Sequence, residues 1–392
     1  MTASPTLGSR ALFPSLRHRI YANHASVGPL PLPAMDAMNA AMAAQAAEGV
    51  TAMLGFHEAM GTTRAVAGSL LGVPPAQVAV VGNTSAAISA VATGIPWSRG
   101  DAIVLFRGEF PANTTPWQQA ARRHDLRLIW LDANDFADDH GLEFLEATLR
   151  DHPVRLVAVS AVQFNTGLRM PVEAMAALTQ HHGSAIFVDA IQAMGATPFD
   201  ATNIDYIASG GQKWLMGPPG TGLLYARDWS SLDPVLASWL SHDDGLCFLW
   251  GDPDRMDYER PLQNGPAIVE GGTLNFCGLA GLRASMELLQ ALGVEAVHAH
   301  INRWFDRLEP ALRDLNFQSY RSANPPRQST LMCVRPPPGT HAGWVAAQLL
   351  EHGISVATPD GYIRFSPSWP NSLDEADAVA SVLTRVMSGP AR

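Results

Sequence analysis

The segment AIFVDAIQAMGATPFDATNIDYIASGGQKWLMGPPGTGLLYA, Ala185 to Ala226, holds three short apolar runs separated by turn-forming residues. Ala185–Asp189, Tyr206–Ser209 and Gly222–Tyr225 are aliphatic or aromatic and of strand length, which suits strands buried on both faces of a sheet. Between the second and third runs lies Lys213, the only lysine of the chain; of 26 Lys plus Arg, the other 25 are arginines. A guanidinium stays protonated, whereas a lysine amine can lose its proton, attack a carbonyl and move protons. A single lysine in a sequence that otherwise uses arginine for positive charge is a candidate covalent anchor. Glycines on both sides of it let a backbone and a flat ligand approach closely.

Working outward, the same texture continues. Ala102–Phe106, Arg127–Leu131 and Leu156–Ser160 read as further strands, and Met35–Glu48, Ala86–Thr93, Pro116–Arg123 and Val172–His181 as helices between or before them. This alternation predicts an α/β fold with a mostly parallel sheet covered by helices. Beyond Gly265 the pattern changes to long helices over Leu279–Leu292 and Val297–Leu315, short strands near Leu331–Val334 and Tyr362–Phe365, and a terminal helix over Leu373–Met387. A chain of 392 residues exceeds what one hydrophobic core usually serves. The expected organisation is an N-terminal arm over 1–20, a large domain over 21–264 and a smaller α+β C-terminal domain over 265–392.

A net charge of −10 argues against nucleic-acid or anionic-membrane partners and leaves small molecules as the expected ligands. No run is long and apolar enough to span a bilayer, and the opening residues lack a signal-peptide core. Three cysteines without CxxC spacing suit a reducing compartment and a cytoplasmic address. They also argue against a zinc site, so no metal is expected. GxGxxG, GxxxxGK, GxSxG and HExxH are all absent, and GPPGTG, Gly217 to Gly222, follows the lysine instead of opening a helix, so it reads as a tight turn.

The chemistry gathers around the lysine. Asp189 ends a strand, on the sheet edge where α/β proteins bind ligands, and Gln192 follows three residues on. Pyridoxal 5'-phosphate needs a lysine for its imine, an acid for its ring nitrogen, a phosphate cradle and a surface on which its ring can stack. GNTSAAIS, Gly82 to Ser89, offers Thr84, Ser85 and the backbone N–H groups through Ala86 at a helix start, either as that cradle or as a plain helix cap. EFPANTTPW, Glu109 to Trp117, offers Phe110, either as the stacking ring or as core.

The ordered set of YANHASVGPLP (21–31), GNTSAAIS, EFPANTTPW, VQFNTG (162–167), VDAIQAMG (188–195), SGGQKW (209–214), VEGGTLNF (269–276) and YIRFSPSWPN (362–371) resembles the class V aminotransferase group of fold-type I pyridoxal-phosphate enzymes. That group includes cysteine desulfurases, kynureninase, C–S lyases and isopenicillin-N-epimerase-like proteins. The resemblance implies a large domain with a mixed, mostly parallel seven-stranded sheet and a homodimer. It implies that Lys213 forms the imine, that Asp189 holds the pyridine nitrogen and that Gln192 lies near the phenolic oxygen. Thr84, Ser85 and Ala86 would bind phosphate, Phe110 would stack, and Gln163 or Asn165 would touch a cofactor oxygen. Thr273 would reach the cofactor phosphate of the neighbouring subunit. Arg364 would take a substrate α-carboxylate through a bidentate pair, while Asn23 and His24 would line the substrate side or act as a structural cap. Trp117, Trp239, His242 and Trp250 are candidate contributors to the substrate pocket.

Two departures matter. Gln212 precedes the lysine where desulfurases often carry a cofactor-contacting His, and the loop HGISVATPDGY (352–362) has no cysteine to carry a persulfide. The expected function is an aminotransferase-type reaction on a free α-amino acid. C–S β-elimination or epimerisation, and a non-catalytic cofactor-binding regulator, are the alternatives.

Overall fold

A computed structural model describes residues 4–243, 245–248 and 257–388. Its strands in chain order are β1 (Ile20–Tyr21), β2 (Val78–Val81), β3 (Ala102–Arg107), β4 (Arg127–Asp132), β5 (Val154–Ser160), β6 (Ala185–Asp189), β7 (Tyr206–Gly210), β8 (Gly222–Ala226), β9 (Gln318–Ser319), β10 (Met332–Arg335), β11 (Ile354–Ser355) and β12 (Ile363–Phe365). Seven of them form one sheet in the order β2-β8-β7-β6-β5-β3-β4. Every pairing is parallel except those of β8, which runs against both β7 and β2. The six strands read from the sequence before Gly265 all lie in this sheet; the seventh, β2, is an edge strand of the four apolar residues VAVV.

The period-two alternation of each strand sends its side chains to two separate cores. Val104, Val157 and Val188 pack into one cluster with the C-terminal helices, while Ile103, Leu156 and Phe187 pack into the other with the helix Thr84–Gly94. Fully buried rings such as Phe106 and Phe187 contribute about 1.5–3 kcal/mol each through burial. Because both faces are covered, the exposed places for a ligand are the strand ends. The C-terminal ends of β3, β5, β6 and β7 converge, and each is followed by a loop bearing a polar residue of the motifs above.

The C-terminal part carries an antiparallel sheet in the order β12-β10-β9, packed with the helices Val294–Asp314 and Asp374–Met387. The start of the chain is tied to it. Tyr21 pairs with Ser355 in the parallel β1–β11 ladder, and a further bridge joins Asn23 to Ser366. Four helices were not expected from the sequence in full or at all: Ala52–Leu71, His140–Asp151, Ala267–Glu270 and Ala342–Glu351. No helix among the described residues is long and apolar enough to cross a membrane.

Candidate active site

A cavity of about 460 Å³ opens at the converged strand ends, within the size range of small-molecule sites. Its titratable lining side chains among the described residues are Asp189, Lys213 and Arg364. Asp189, the last residue of β6, is buried and accepts a hydrogen bond from Ile191 N at 3.0 Å. Burial pushes its carboxyl up to about 7, and the nearby charge of Glu109 adds to the rise, against the pull of Ile191 N–H and Lys213.

Lys213 follows β7 in the turn closed by Met216 N to Lys213 O at 3.0 Å. Burial lowers its ammonium to about 8, with Arg364 adding to the fall and Asp189 opposing it. The turn is pressed against the N-terminal loop, where Gly28 N donates to Gln212 O at 2.7 Å. A Cβ on Gly28 would run into the Lys213 carbonyl oxygen, so only glycine permits this approach. Phe110, half exposed, lines the cavity, and its ring centroid lies 5.8 Å from Lys213 Nζ. The edge of Phe164 braces it at 5.2 Å between centroids.

Thr84 and Ser85 line the cavity at the first turn of the helix Thr84–Gly94, and the buried Thr84 Oγ1 has no hydrogen-bond partner. Ala86 stands apart from them: its N–H is already taken by the Asn83 side chain at 2.8 Å, which caps the helix. Cap and candidate cradle therefore coexist in one turn. Gln192 lines the cavity, but its amide is engaged on both sides, donating to Ala25 O at 3.1 Å and accepting from Trp214 Nε1 at 2.9 Å. Gln212 is also in the lining.

Arg364, on β12, is buried and donates from Nη1 to Phe164 O at 3.2 Å and from Nη2 to Ser26 Oγ at 2.8 Å, leaving Nε without a partner. Ser26 in turn donates to Asn23 Oδ1 at 2.7 Å. Asn23 and His24 do not line the cavity. Asn23 braces Ser26, while His24 is buried, its Nδ1 bonded to Ser366 O at 3.1 Å, and burial lowers it to about 4, so the ring is uncharged at neutral pH. Gln163 is turned away as well: its Nε2 donates to Glu109 Oε1 at 3.0 Å.

Thr273 is exposed on the loop before the helix Phe276–Leu292, outside this cavity. That loop is anchored three residues earlier by Glu270, which pairs with Arg64 and accepts from Val80 N at 2.9 Å. Trp117 is fully buried, and its Nε1 donates to Asn113; Trp239 and His242 lie elsewhere, and Trp250 falls outside the described residues. Among the described residues no group of His, Cys, Asp or Glu has metal-site geometry. The sequence reading passed over Ser26, Ser160 and Glu109, although all but Ser160 stand inside quoted motifs.

The family model Aminotransferase class-V matches residues 20–367. A "Probable cysteine desulfurase" of Pyrococcus abyssi is 27% identical over 331 residues, 79% of each chain. The isopenicillin N epimerase of Streptomyces clavuligerus is 25% identical over 387 residues, 92% of this chain and 93% of its own. An apo cysteine desulfurase structure from Thermococcus onnurineus superposes with a TM-score of 0.82 at 23% identity, covering 95% of each chain.

Proposed function

The chain belongs to the class V aminotransferase family, and from that membership we propose that it removes the α-proton of a free α-amino acid with Lys213 as base and completes an aminotransferase-type reaction. The enzymes of this family work with pyridoxal 5'-phosphate, which when bound withdraws electrons from the substrate α-carbon.

The residues fit that group. A buried hydroxyl on Thr84 without a partner sits at a helix N-terminus, where an anion is favoured. A buried acid, Asp189, stands at the strand end, and a half-exposed ring, Phe110, faces the amine of Lys213.

The observation that carries the reading is the inventory of the cavity wall. Among the described residues Lys213 is its one group able to take up and return a proton near neutral pH beside a substrate, since Asp189 is reserved for the ring nitrogen and Arg364 stays charged. Arg364 offers its unpartnered Nε, and the N–H of Nη2 that Ser26 does not take, to a carboxylate, which fixes the Cα–H bond relative to Lys213. A single base returns the proton on the face from which it came, which suits transamination and leaves inversion at Cα without its second acid. C–S bond cleavage is the second reading, favoured by the cysteine desulfurase among the relatives. It would proceed without a persulfide on the loop before β12, since Cys333 is buried in β10 with its thiol pushed up to about 12, and Cys247 and Cys277 lie in other segments.

We further propose a cytoplasmic homodimer in which the exposed Thr273 loop reaches the neighbouring subunit's site; the free cysteines support the address. Borohydride trapping of cofactor on Lys213, followed by an amino-acid panel scored for keto acid, sulfide, pyruvate with ammonia, and racemisation, tests the whole reading. Keto-acid exchange is expected. Sulfide release alone replaces transamination with elimination, and protein that takes up no cofactor overturns both.

A further inference from the structure

Behind the cavity wall lies a carboxyl that the chemistry above does not use. Glu109 ends the approach from β3 and does not line the cavity. Its Oε1 accepts from Ser160 N at 2.6 Å and from Gln163 Nε2 at 3.0 Å, and its Oε2 accepts from Ser160 Oγ. Burial raises the carboxyl of Glu109, and the three donors that converge on it pull the other way, toward the ionised form. Ser160 is also the cross-strand partner of Asp189 in the β5–β6 ladder, and the next residue closes the arrangement, with Ala161 N donating to Asp189 O at 2.9 Å. A carboxyl from the loop after β3 and one from the end of β6 thus flank one serine.

The charged and titratable groups around Asp189 are Glu109 from the loop after β3, Lys213 from the loop after β7, Arg364 from β12 acting on Lys213, and the uncharged His24 beyond Trp214. Glu109 is the only one of these whose ionisation sets a negative charge against Asp189.

We propose that Glu109 is a positioning residue that acts through Asp189: a second carboxyl set behind the ring-nitrogen acid strengthens the hold of that acid, and of a ring nitrogen paired with it, on their shared proton. The hydrogen bonds to Ser160 and Gln163 keep that charge in place while denying it contact with the ligand. Burial raises Asp189 first, and Glu109 adds to the rise in the same direction.

Glu109→Gln keeps the shape and removes the charge. In the apoprotein, the infrared titration of the Asp189 carboxyl is expected to move about one pH unit acidward. In the holoenzyme, the alkaline limb of the cofactor dissociation constant should move the same way, so that affinity at pH 8.5 falls about tenfold. Glu109→Asp, which keeps the charge, should hold both midpoints near those of the wild type. Identical midpoints in wild type and Glu109→Gln overturn the proposal. Should Glu109→Gln fail to fold, Glu109→Asn, which also removes the charge, is read in the same infrared titration, and an Asp189 midpoint unmoved from that of the wild type overturns the proposal. The apoprotein measurements need no cofactor, so they are read separately from any failure to load it.

Discussion

Lys213 Nζ stands 5.8 Å from the centroid of the Phe110 ring, and both line the cavity. Carbon atoms pack at about 3.5–4 Å, so a planar ring stacked on Phe110 would still lie within bonding reach of the amine. Half of Phe110 is exposed, and it lines the cavity, so its ring is open to a ligand. Phe110→Ala is expected to weaken cofactor binding by about 1 kcal/mol, roughly fivefold, and Phe110→His to restore part of it. Equilibrium titration of apoprotein by cofactor absorbance measures this, and unchanged affinity in Phe110→Ala rules out the stack.

Lys213→Arg preserves the charge and removes the nucleophile. Borohydride treatment of this variant should leave no cofactor on the protein, and turnover should drop by roughly a thousandfold or more, as expected when a positioned base is lost. Mass spectrometry of the reduced protein reads the first effect. Retained adduct elsewhere on the chain would show that the anchor has been misassigned.

Arg364 is held from two sides by Phe164 O and Ser26 Oγ. Arg364→Ala should raise the substrate KM by about 2 kcal/mol, near thirtyfold, with cofactor affinity little changed. Ser26→Ala removes one hydrogen bond to the guanidinium and should cost about 1 kcal/mol, roughly fivefold, in the same parameter. Steady-state kinetics separates the two, and a kcat effect with unchanged KM would contradict the carboxylate role.

The two buried titrating groups set opposite pH trends. Lys213 must be unprotonated to attack an aldehyde, so the rate of cofactor capture by apoprotein should climb through pH 8 and level off above it. Asp189 has a raised folded-state value, so its contribution to stability is present below the unfolded value near 4 and is lost as pH rises through about 7. Apoprotein carrying Asp189→Asn should therefore melt higher than wild type at pH 8, by an amount on the order of a few kcal/mol. Calorimetry at pH 5 and pH 8 checks the sign; a variant that melts lower at pH 8 refutes it.

What could be read in advance followed local pattern. Buried parallel strands such as Ala185–Asp189 announce themselves as apolar runs, and all six read before Gly265 lie in the seven-stranded sheet within two residues of their observed ends. Strand β2 is VAVV next to PPAQ, too short a run to separate from a turn. The helix Ala52–Leu71 is interrupted by Gly55, Gly61 and Gly68, which lower its helical signal, and its packing against Phe276–Leu292 supplies what propensity does not. In the site, Lys213, Asp189, Thr84 and Phe110 are each marked by a strand end or a helix start nearby. Ser26 is not: it meets Arg364 only because β1 pairs with β11, more than three hundred residues away. The pairing of Glu109 with Gln163 was equally hidden, since a hydrogen bond between two loops leaves no period in the sequence.

The scarcity of lysine described above has a practical corollary. Apart from a chain-terminal amine, an acylating reagent finds one target on this polypeptide, and that target lines the ligand cavity. Amine labelling thereby becomes a direct gauge of how many molecules in a preparation stand empty, and glutaraldehyde or succinimidyl cross-linkers, which tether most proteins through their surfaces, will find little here to join.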